Sequence, residues 1–176
     1  GSGCLGDKIK LTTINAQLKP KAIIPVDLFG LPARYRIIDK IAKKYNLKVI
    51  EDAAQSFGGS IRGKKVGIFG DVAATSFYPA KPLGCYGDGG AIFTNDDSLA
   101  EECKAIRIHG TKTDRYNSER IGLNGRFDSI QAAVVLEKLT IFDEELEMRN
   151  KVNSHYQKYL NNAQYLPKDY QSAHAL

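Results

Sequence analysis

The sequence places two short β-rich runs on either side of one helical stretch near its start. The β-rich runs are residues 22–26 and 48–50, and residues 33–45 repeat apolar side chains at helical spacing. A helix between two such strands is a crossover, which implies parallel strands and a right-handed connection. Ligands of such sheets bind beyond the carboxyl ends of the strands, where Asp27 and the pair Glu51-Asp52 stand. The chain is therefore predicted to be an α/β protein with its functional groups at that edge.

The middle of the chain continues this alternation. Residues 58–70 contain several glycines and are predicted to form a glycine-rich loop or a small hairpin. Strands are predicted at residues 72–78 and 91–94, and a helix at residues 97–108. One side of that helix is expected to carry Leu99, Cys103 and Ile106. The polar residues 111–120 are predicted to form a loop.

The last part of the chain is predicted to be helical. Asp128 followed by Gln131 fits an N-cap and a capping box at the start of a helix. The apolar face of that helix would be formed by Ile130, Val134, Val135, Leu136 and Leu139. A second helical stretch is predicted to begin near Asp143, and the periodicity is lost from Asn161 onward.

Length and composition exclude several classes of protein. The chain has 176 residues, of which 43% are hydrophobic, enough for one ordinary core or for part of a larger one. It contains neither an apolar run long enough to cross a bilayer nor a secretory signal, which predicts a cytoplasmic protein without a membrane partner. Three cysteines without a Cys-x-x-Cys pair and three scattered histidines predict reduced thiols and no metal site.

The positive charge is concentrated near the start of the chain. The formal net charge is +5, and the first fifty residues hold ten lysines or arginines against three aspartates. Lys40, Lys43 and Lys44 alternate with apolar residues at helical spacing, which is typical of the solvated face of an amphipathic helix. A basic patch for nucleic acid is the alternative. The solvated face is favoured, so no nucleic-acid partner is predicted.

Lys81 stands in an unusual setting for a lysine. It lies in the run SFYPAKPLG of residues 76–84, after a predicted strand and before the glycine cluster of residues 87–90. A lysine attacks a carbonyl only when it is unprotonated, and burial or a neighbouring cation favours that form. A turn bounded by proline and glycine can hold such a side chain in a pocket. Lys81 is therefore a candidate nucleophile, and a solvated turn lysine is the alternative.

Residues 58–64 fit the phosphate-loop pattern up to its last position. Lys65 then stands where the pattern needs a serine or threonine to hold Mg²⁺, and residues 65–67 resemble a strand and a turn rather than a helix start. A P-loop-like nucleotide-binding domain is therefore a remote alternative. The glycines of residues 84–90 lack the dinucleotide spacing and no serine triad is present, which argues against hydride transfer and acyl hydrolysis.

Three segments of the chain occur in the same order in one known family. They are EDAAQSFG at residues 51–58, TSFYPAKPLGCYGDGG at residues 75–90 and IGLNGR at residues 121–126. Together they resemble the DegT-type sugar-nucleotide aminotransferases, which are pyridoxal-phosphate (PLP) enzymes of fold type I. The resemblance extends over about residues 21–160, with a weaker echo at residues 170–175.

The resemblance implies a domain organisation. Residues 1–127 would be the central part of the large, PLP-binding domain, with a mixed, mostly parallel sheet flanked by helices. Residues 128–176 would be a helical segment that leads into a small C-terminal domain. Family members are longer at both ends, so the chain is expected to be truncated there, without the N-terminal loop that donates to the phosphate. A truncated, non-catalytic remnant is therefore the alternative to an active aminotransferase.

The resemblance also assigns a role to five residues. Lys81 would form the Schiff base with the PLP aldehyde, and Asp52 would pair with the protonated pyridine nitrogen, so that the ring can absorb the electrons of a substrate carbanion. Gln55 would lie against the ring, and Ser76 would bind the phosphate with its hydroxyl. Asn124 would reach the phosphate of the neighbouring protomer, because the family's sites are built across a homodimer interface. Each of the four polar side chains could instead be an ordinary turn, strand or surface residue.

By the same resemblance, L-glutamate would donate the amino group and leave the cofactor as pyridoxamine phosphate. A keto sugar on a nucleoside diphosphate would then accept the amine. Some relatives that dehydrate sugars have histidine in place of this lysine, so Lys81 favours amino transfer. Residues 81–90 and 26–30 most resemble the branch that acts on UDP-2-acetamido-2-deoxy-3-oxoglucuronate, which makes precursors of bacterial surface polysaccharides such as lipopolysaccharide O-antigen. No residue of the chain distinguishes a 3-oxo from a 4-oxo sugar.

Overall fold

The computed structural model describes residues 19–114, 116–160 and 169–173. Within these ranges lie seven β-strands, four α-helices and one 3₁₀ turn at Leu28–Gly30. The strands are β1 (Ala22–Ile23), β2 (Lys48–Asp52), β3 (Ser60–Ile61), β4 (Lys64–Lys65), β5 (Val72–Ser76), β6 (Gly90–Phe93) and β7 (Tyr170–Gln171). The helices are α1 (Tyr35–Tyr45), α2 (Asp97–Arg107), α3 (Ser129–Leu139) and α4 (Phe142–Tyr159).

Four of the strands form one mixed sheet in the order β1-β2-β5-β6. β1, β2 and β5 run parallel, and α1 connects β1 to β2, as the sequence predicts. β6 lies antiparallel to β5. Asp52 faces Ala74 in the register of β2 and β5, so these two strands end side by side. The predicted α/β fold with a mixed, mostly parallel sheet is confirmed.

The helix α1 begins at Tyr35 rather than at residue 33. The reason is that the backbone N–H of Ala33 donates to Oδ1 of Asp27, 2.8 Å away, which holds the chain before the helix in another conformation. Asn46 ends the helix in the left-handed conformation, with φ of 51°. Ala42 faces inward and is buried, whereas the lysines of the helix are exposed. The prediction that these lysines lie on the exposed face of an amphipathic helix is therefore confirmed.

The glycine-rich segment contains a β-hairpin, one of the two predicted forms. β3 and β4 pair antiparallel around Arg62 and Gly63, which have φ of 52° and 76°. β7 adds a third strand on the other side of β3. The segment enters β3 and β4 and not a helix, so the phosphate-loop alternative lacks the helix N-terminus that would bind phosphate.

One cluster of buried side chains includes part of the loop that carries Lys81. Its buried members are Phe77, Leu83, Cys85, Val135, Phe142, Leu146 and Ala173. The ring of Phe57 packs edge-on against that of Phe77, with centroids 5.8 Å apart. α3 and α4 thus supply part of the core beside the loop. The division of the chain between residues 127 and 128 stays a prediction.

The predicted ends of β5 and α2 are wrong by one or two residues. β5 ends at Ser76, because the Ser76 hydroxyl accepts a hydrogen bond from the backbone N–H of Tyr78, 3.2 Å away, and the chain turns there. α2 ends at Arg107. Its buried residue is Ala105, whereas Ile106 is 38% exposed, so the inner face of α2 is rotated from the predicted one.

The start of α3 is capped only partly as predicted. The carboxylate of Asp128 accepts from the backbone N–H of Ile130 at 3.0 Å, which confirms the N-cap. The capping box is wrong, because Oε1 of Gln131 accepts from the backbone N–H of Tyr86 at 2.7 Å instead. The predicted apolar face is also only partly covered, since Val135 is buried but Ile130 is 73% exposed. α3 therefore packs along a narrow line and leaves apolar side chains uncovered.

None of the helices in the described ranges combines the length and hydropathy needed to cross a bilayer. The same ranges contain no group of three or more His, Cys, Asp or Glu side chains that could hold a metal ion. The cysteines in these ranges, Cys85 and Cys103, form no disulfide.

Asp71 links the start of β2 to the turn before β5. Its Oδ1 accepts from Nζ of Lys48 and its Oδ2 from the backbone N–H of Val49, each at 2.8 Å. The hydrogen bond from Lys48, followed by that from Val49, holds the pKa of the Asp71 carboxyl below its ordinary value of 3.8. Ionised Asp71 therefore stabilises the fold above pH 3.8, and this contribution is lost as the pH falls through the lower pKa of the folded state.

The substitution Asp71→Asn is expected to lower the free energy of unfolding at pH 7 by less than about 1 kcal/mol, because ion pairs at exposed sites contribute little. Well below pH 3.8 the difference from the unmutated chain is expected to vanish. Urea denaturation at the two pH values measures both. Glu147→Gln is the matched control, because Glu147 is exposed and has no hydrogen-bond partner in the described ranges. A difference for Asp71→Asn that is equal at both pH values would contradict the prediction.

Candidate active site

Four of the five predicted site residues lie at the carboxyl ends of β2 and β5 or in the loops just after them. Asp52 ends β2 and Ser76 ends β5, and Gln55 and Lys81 lie in the loops that follow. Because the two strands are adjacent and parallel, both loops leave the same edge of the sheet. The Thr75 hydroxyl donates at 3.0 Å to the backbone carbonyl just after β2, which ties the two strand ends together. The structure therefore brings these four residues to one edge.

Asp52 is half-buried and held by its backbone on both sides. Its N–H donates to the carbonyl of Pro25 at 2.9 Å, and its carbonyl accepts from the N–H of Asp27 at 3.0 Å. Oδ1 of its side chain accepts from the backbone N–H of Ala54 at 3.1 Å. Oδ2 has no hydrogen-bond donor among the described residues. One carboxylate oxygen thus fixes the direction of the side chain, and the other is left to accept from a ligand.

The amide of Gln55 is fixed by the 3₁₀ turn. Its Oε1 accepts from the backbone N–H of Phe29 at 2.8 Å. Phe29 has φ of 55°, a left-handed conformation that is uncommon for a residue with a side chain. With its oxygen engaged, Gln55 keeps the two N–H donors of its amide for another partner.

The hydroxyl group of Ser76 is also engaged on one side only. Its hydroxyl oxygen accepts from the backbone N–H of Tyr78 at 3.2 Å, which leaves the hydroxyl proton available. A hydroxyl in this state donates to an anion without rearrangement. Ser76 at the end of a parallel strand therefore suits a bound phosphate.

The loop after β5 holds Lys81 by its backbone. The N–H of Lys81 donates to the carbonyl of Tyr78, and the N–H of Cys85 donates to that of Phe77, each at 2.8 Å. The Cys85 thiol is fully buried and lies 2.9 Å from the same Phe77 carbonyl. The side chain of Lys81 is half-buried and has no hydrogen-bond or ion-pair partner in the described ranges. Its amine is therefore available for a ligand.

Two cations from the C-terminal helices bind carbonyls of the same loop. Nη2 of Arg149 in α4 donates to the carbonyl of Pro82 at 3.0 Å, and Nζ of Lys138 in α3 donates to that of Gly84 at 2.7 Å. Lys138 also lies 4.9 Å from the ring centroid of Tyr86. Charge-assisted bonds of this kind are stronger than neutral ones, so they hold the loop firmly. Neither cation was predicted from the sequence.

Gly84 occupies a point where the loop folds back on itself. A Cβ atom there would lie 2.6 Å from the carbonyl oxygen of Pro79 and 2.8 Å from that of Tyr78, both of them backbone atoms. Gly84→Ala is therefore expected to lower the free energy of unfolding by about 1–3 kcal/mol, the usual cost of overpacking. Chemical denaturation measures the change.

Gly87→Ala is the matched control for this substitution. A Cβ atom at Gly87 would come no closer than 3.4 Å to the flexible side chain of Gln131, so a change within about 0.5 kcal/mol is expected. Equal effects of the two substitutions would show that the close approach at Gly84 does not limit stability.

Asn124, the fifth predicted residue, is not brought to this edge by a contact within the chain. It is exposed, and its Oδ1 accepts from Nε of Arg126 at 3.2 Å. Its backbone forms an isolated antiparallel bridge with Ile108, just beyond α2. No hydrogen bond joins it to the other four residues within the described ranges.

Two buried carboxylates beside Asp52 were not predicted as site residues. Glu51 is fully buried, and its two oxygens accept from the backbone N–H groups of Gly67 at 2.6 Å and Phe69 at 2.9 Å. Asp27 is also fully buried. Burial raises the pKa of both carboxyls, although their hydrogen bonds oppose the rise. The only sequence signal for either was its place at the end of a strand.

Two cavities lie away from these residues. One, of about 670 Å³, lies between β5, β6 and α2 and is lined by mostly apolar residues that include Ile92, Cys103 and Leu123. The other, of about 620 Å³, lies along α4. None of the five predicted site residues lines either cavity.

Solved structures share this fold. An aminotransferase of the DegT/DnrJ/EryC1/StrS type from Brucella abortus is 52% identical, with a TM-score of 0.88, and the match covers 91% of this chain and 44% of that one. The protein NtdA from Bacillus subtilis, solved with the bound cofactor PMP, is 33% identical with a TM-score of 0.72 over 80% of this chain and 32% of its own. The chain has the fold of part of the large domain of fold type I PLP-dependent aminotransferases.

The chain belongs to the DegT/DnrJ/EryC1/StrS aminotransferase family, whose model matches residues 7–175. The UDP-2-acetamido-2-deoxy-3-oxo-D-glucuronate aminotransferase of Pseudomonas aeruginosa is 55% identical over 138 residues, which are 78% of this chain and 38% of that protein. The chain thus spans about two fifths of the length of this curated relative. The family resemblance predicted from the three motifs is confirmed.

Aminotransferases of this family depend on PLP. The side chains at the sheet edge match the groups of that cofactor in their chemistry. A free carboxylate oxygen on Asp52 suits a protonated ring nitrogen, and the unshared hydroxyl proton of Ser76 suits a phosphate. The amine of Lys81, which lacks a partner in the described ranges, suits an aldehyde. The residues present therefore fit the cofactor.

Proposed function

We propose that this chain is built for PLP-dependent transfer of an amino group from L-glutamate to a keto sugar carried on a nucleoside diphosphate. The observation that carries the proposal is found at the sheet edge after β2 and β5. There, among the described residues, an amine without a partner, on Lys81, occurs together with a carboxylate that has one oxygen without a donor, on Asp52. Membership of an aminotransferase family supports the same chemistry.

Four residues would hold the cofactor. Oδ2 of Asp52 would accept from the ring nitrogen, and Nζ of Lys81 would bind the aldehyde carbon. The Ser76 hydroxyl would donate to the phosphate, and the N–H groups of the Gln55 amide would face the ring and its substituents. When bound, PLP supplies an electrophilic carbon and a ring that withdraws electrons from the substrate.

Lys81 would also move protons. In its neutral form, Nζ would take a proton from the α-carbon of the amino donor, and it would return a proton at the sugar carbon that receives the amine. Its backbone is fixed by the loop, while its side chain keeps the freedom to reach both carbons. General acid–base catalysis by a positioned group contributes about 10²–10⁴-fold to a rate.

Asn124 would act on a second copy of the chain. Because it is exposed and forms no hydrogen bond with the other site residues of its own chain, we propose that it reaches the phosphate held by a partner in a homodimer. The exposed apolar side chains nearby, among them Ile121 at 96% and Leu123 at 57%, are consistent with a covered surface there.

The substrate class is proposed from the relatives. The name of the Pseudomonas aeruginosa relative specifies a UDP-linked 3-oxo sugar acid, and the identity of 55% supports a substrate of this class for the present chain. A cytoplasmic location and a role in the synthesis of bacterial polysaccharide precursors belong to the same proposal. We also propose that the chain divides into a partial large domain, residues 1–127, and a segment that leads to a small domain, residues 128–176.

The experiment supplies the purified chain with PLP, L-glutamate and a UDP-linked 3-oxo sugar acid. We expect 2-oxoglutarate and an amino sugar nucleotide to form in equal amounts, measured by mass spectrometry. Free PLP without protein corrects for the slow uncatalysed reaction, and D-glutamate tests for a chiral site. A rate no higher than that of free PLP would reject the proposed activity for this chain.

A further inference from the structure

Asp27 is a fully buried carboxylate that the proposed reaction does not use. Its Oδ1 accepts from the backbone N–H of Ala33 at 2.8 Å and from the Tyr35 hydroxyl at 2.7 Å. Its Oδ2 accepts from the Ser56 hydroxyl at 2.8 Å. A buried charge is costly unless hydrogen bonds compensate for it, and these three bonds supply that compensation.

Asp27 holds both ends of the turn that carries two of the candidate site residues. This turn, residues 52–56, includes Asp52 and Gln55, and we call it the site turn. The backbone N–H of Asp27 donates to the carbonyl of Asp52 at 3.0 Å, at the start of the site turn. Its carboxylate holds the hydroxyl of Ser56, at the end of the site turn.

Asp27 also begins the 3₁₀ turn that fixes Gln55. Its carbonyl accepts from the backbone N–H of Gly30 at 3.3 Å, which closes that turn. Inside it, Phe29 adopts the left-handed conformation and donates its N–H to Oε1 of Gln55 at 2.8 Å. The left-handed conformation is strained for a residue with a side chain, so the surrounding bonds must hold Phe29 in place.

A carboxylate is the side chain that fits these contacts. The three groups that meet it are a backbone N–H and two hydroxyls, and all three donate to it. An ionised carboxylate has two acceptor oxygens and no donor, whereas an asparagine amide of the same shape turns one acceptor into a donor. The network therefore uses both oxygens of Asp27.

We infer that Asp27 is a positioning residue for the site turn. It fixes the direction of the free Oδ2 of Asp52 and of the Gln55 amide without touching the ligand itself. The identity of the ligand at the site turn depends on the proposed function. The geometry of the site turn, and the role of Asp27 in it, do not depend on that function.

The test measures hydrogen exchange at single backbone amides in the chain without cofactor. The reporting amides are those of Ala54, which donates to Asp52, and Phe29, which donates to Gln55. The amide of Cys85, which donates to Phe77 in the other loop, is the reference. In Asp27→Asn we expect exchange at the two reporting amides to rise about tenfold, the effect of one lost hydrogen bond of ordinary strength, with Cys85 unchanged.

Ser56→Ala and Tyr35→Phe provide a matched pair of milder variants. Each removes one hydroxyl that donates to Asp27, but Ser56 lies in the site turn and Tyr35 in α1. We expect Ser56→Ala to raise exchange at Ala54 and Tyr35→Phe to leave it within twofold. If Asp27→Asn does not fold, this pair alone decides.

A cofactor measurement separates this inference from the proposed function. In the unmutated chain, a PLP adduct at Lys81 trapped with borohydride tests the proposed function. In Asp27→Asn the dissociation constant for PLP, from an absorbance titration, is expected to rise about tenfold. If no adduct forms, the proposed function is rejected, and the hydrogen-exchange measurements alone then test the role of Asp27. Unchanged exchange at Ala54 and Phe29 in both Asp27→Asn and Ser56→Ala, or an equal rise at Cys85, would overturn the inference.

Discussion

Replacing Lys81 with alanine is expected to abolish the covalent capture of PLP by the chain and to lower amino transfer by about 10²–10⁴-fold. The half-buried amine of Lys81 has no partner in the described ranges and follows the end of β5, beside the end of β2. Without it, no amine at this edge would bind the aldehyde or carry the proton. Capture is measured by mixing the chain with PLP, reducing with borohydride and locating the phosphopyridoxyl group by peptide mass spectrometry.

Lys64→Ala is the matched control for this substitution. Lys64 lies in β4, is exposed and has no side-chain hydrogen bond in the described ranges, so its loss is expected to leave the adduct at Lys81 intact. Labels spread over many exposed lysines of the unmutated chain would show that Lys81 has no special reactivity. So would an adduct of equal yield in Lys81→Ala.

Asp52→Asn is expected to lower amino transfer by about 10²–10³-fold, the usual effect of losing one preorganised electrostatic group in an active site. Asparagine keeps the shape of the side chain and an oxygen that can accept from the N–H of Ala54, so the turn is retained. The negative charge opposite a protonated ring nitrogen is lost. We also expect weaker binding of PLP, measured by absorbance titration, with a rate that stays low at saturating PLP.

Asp88→Asn tests whether this effect is specific. Asp88 is exposed beside the Lys81 loop and has no hydrogen-bond or ion-pair partner in the described ranges, so the rate and the PLP affinity are expected to stay within about twofold. Equal rates for Asp52→Asn and the unmutated chain would mean that Asp52 does not face the ring nitrogen.

The parts of the fold that were predictable are those fixed by neighbouring residues. The crossover of β1, α1 and β2 follows from hydrophobic periodicity, and the hairpin follows from glycines that allow a tight turn. Because parallel strands end at the same edge, the positions of Asp52 and Ser76 could be deduced without knowing any tertiary contact. Gln55 and Lys81 lie in the loops that follow these strands, so their positions could be deduced in the same way.

The parts that were missed depend on residues far apart in the chain. Ser56, whose hydroxyl in the site turn donates to Asp27, lies 29 residues from Asp27 in the chain. The hydrogen bond from Arg149 to Pro82 spans 67 residues. Nothing in the local pattern of either segment specifies such a partner. Local rules also failed at α3, where Gln131 could have closed a capping box but bonds to Tyr86, 45 residues earlier in the chain. Tertiary contacts decided the outcome in each case.

The two cations that bind the Lys81 loop have a consequence for how such chains can vary. Lys138 and Arg149 hold backbone carbonyls of Gly84 and Pro82, and carbonyls are present whatever the sequence of the loop. A chimera of two relatives joined between residues 84 and 138 would therefore keep a working loop only if the incoming helices bring cations to matching positions. The reactive loop and the helices α3 and α4, although distant in the chain, should be inherited as one unit.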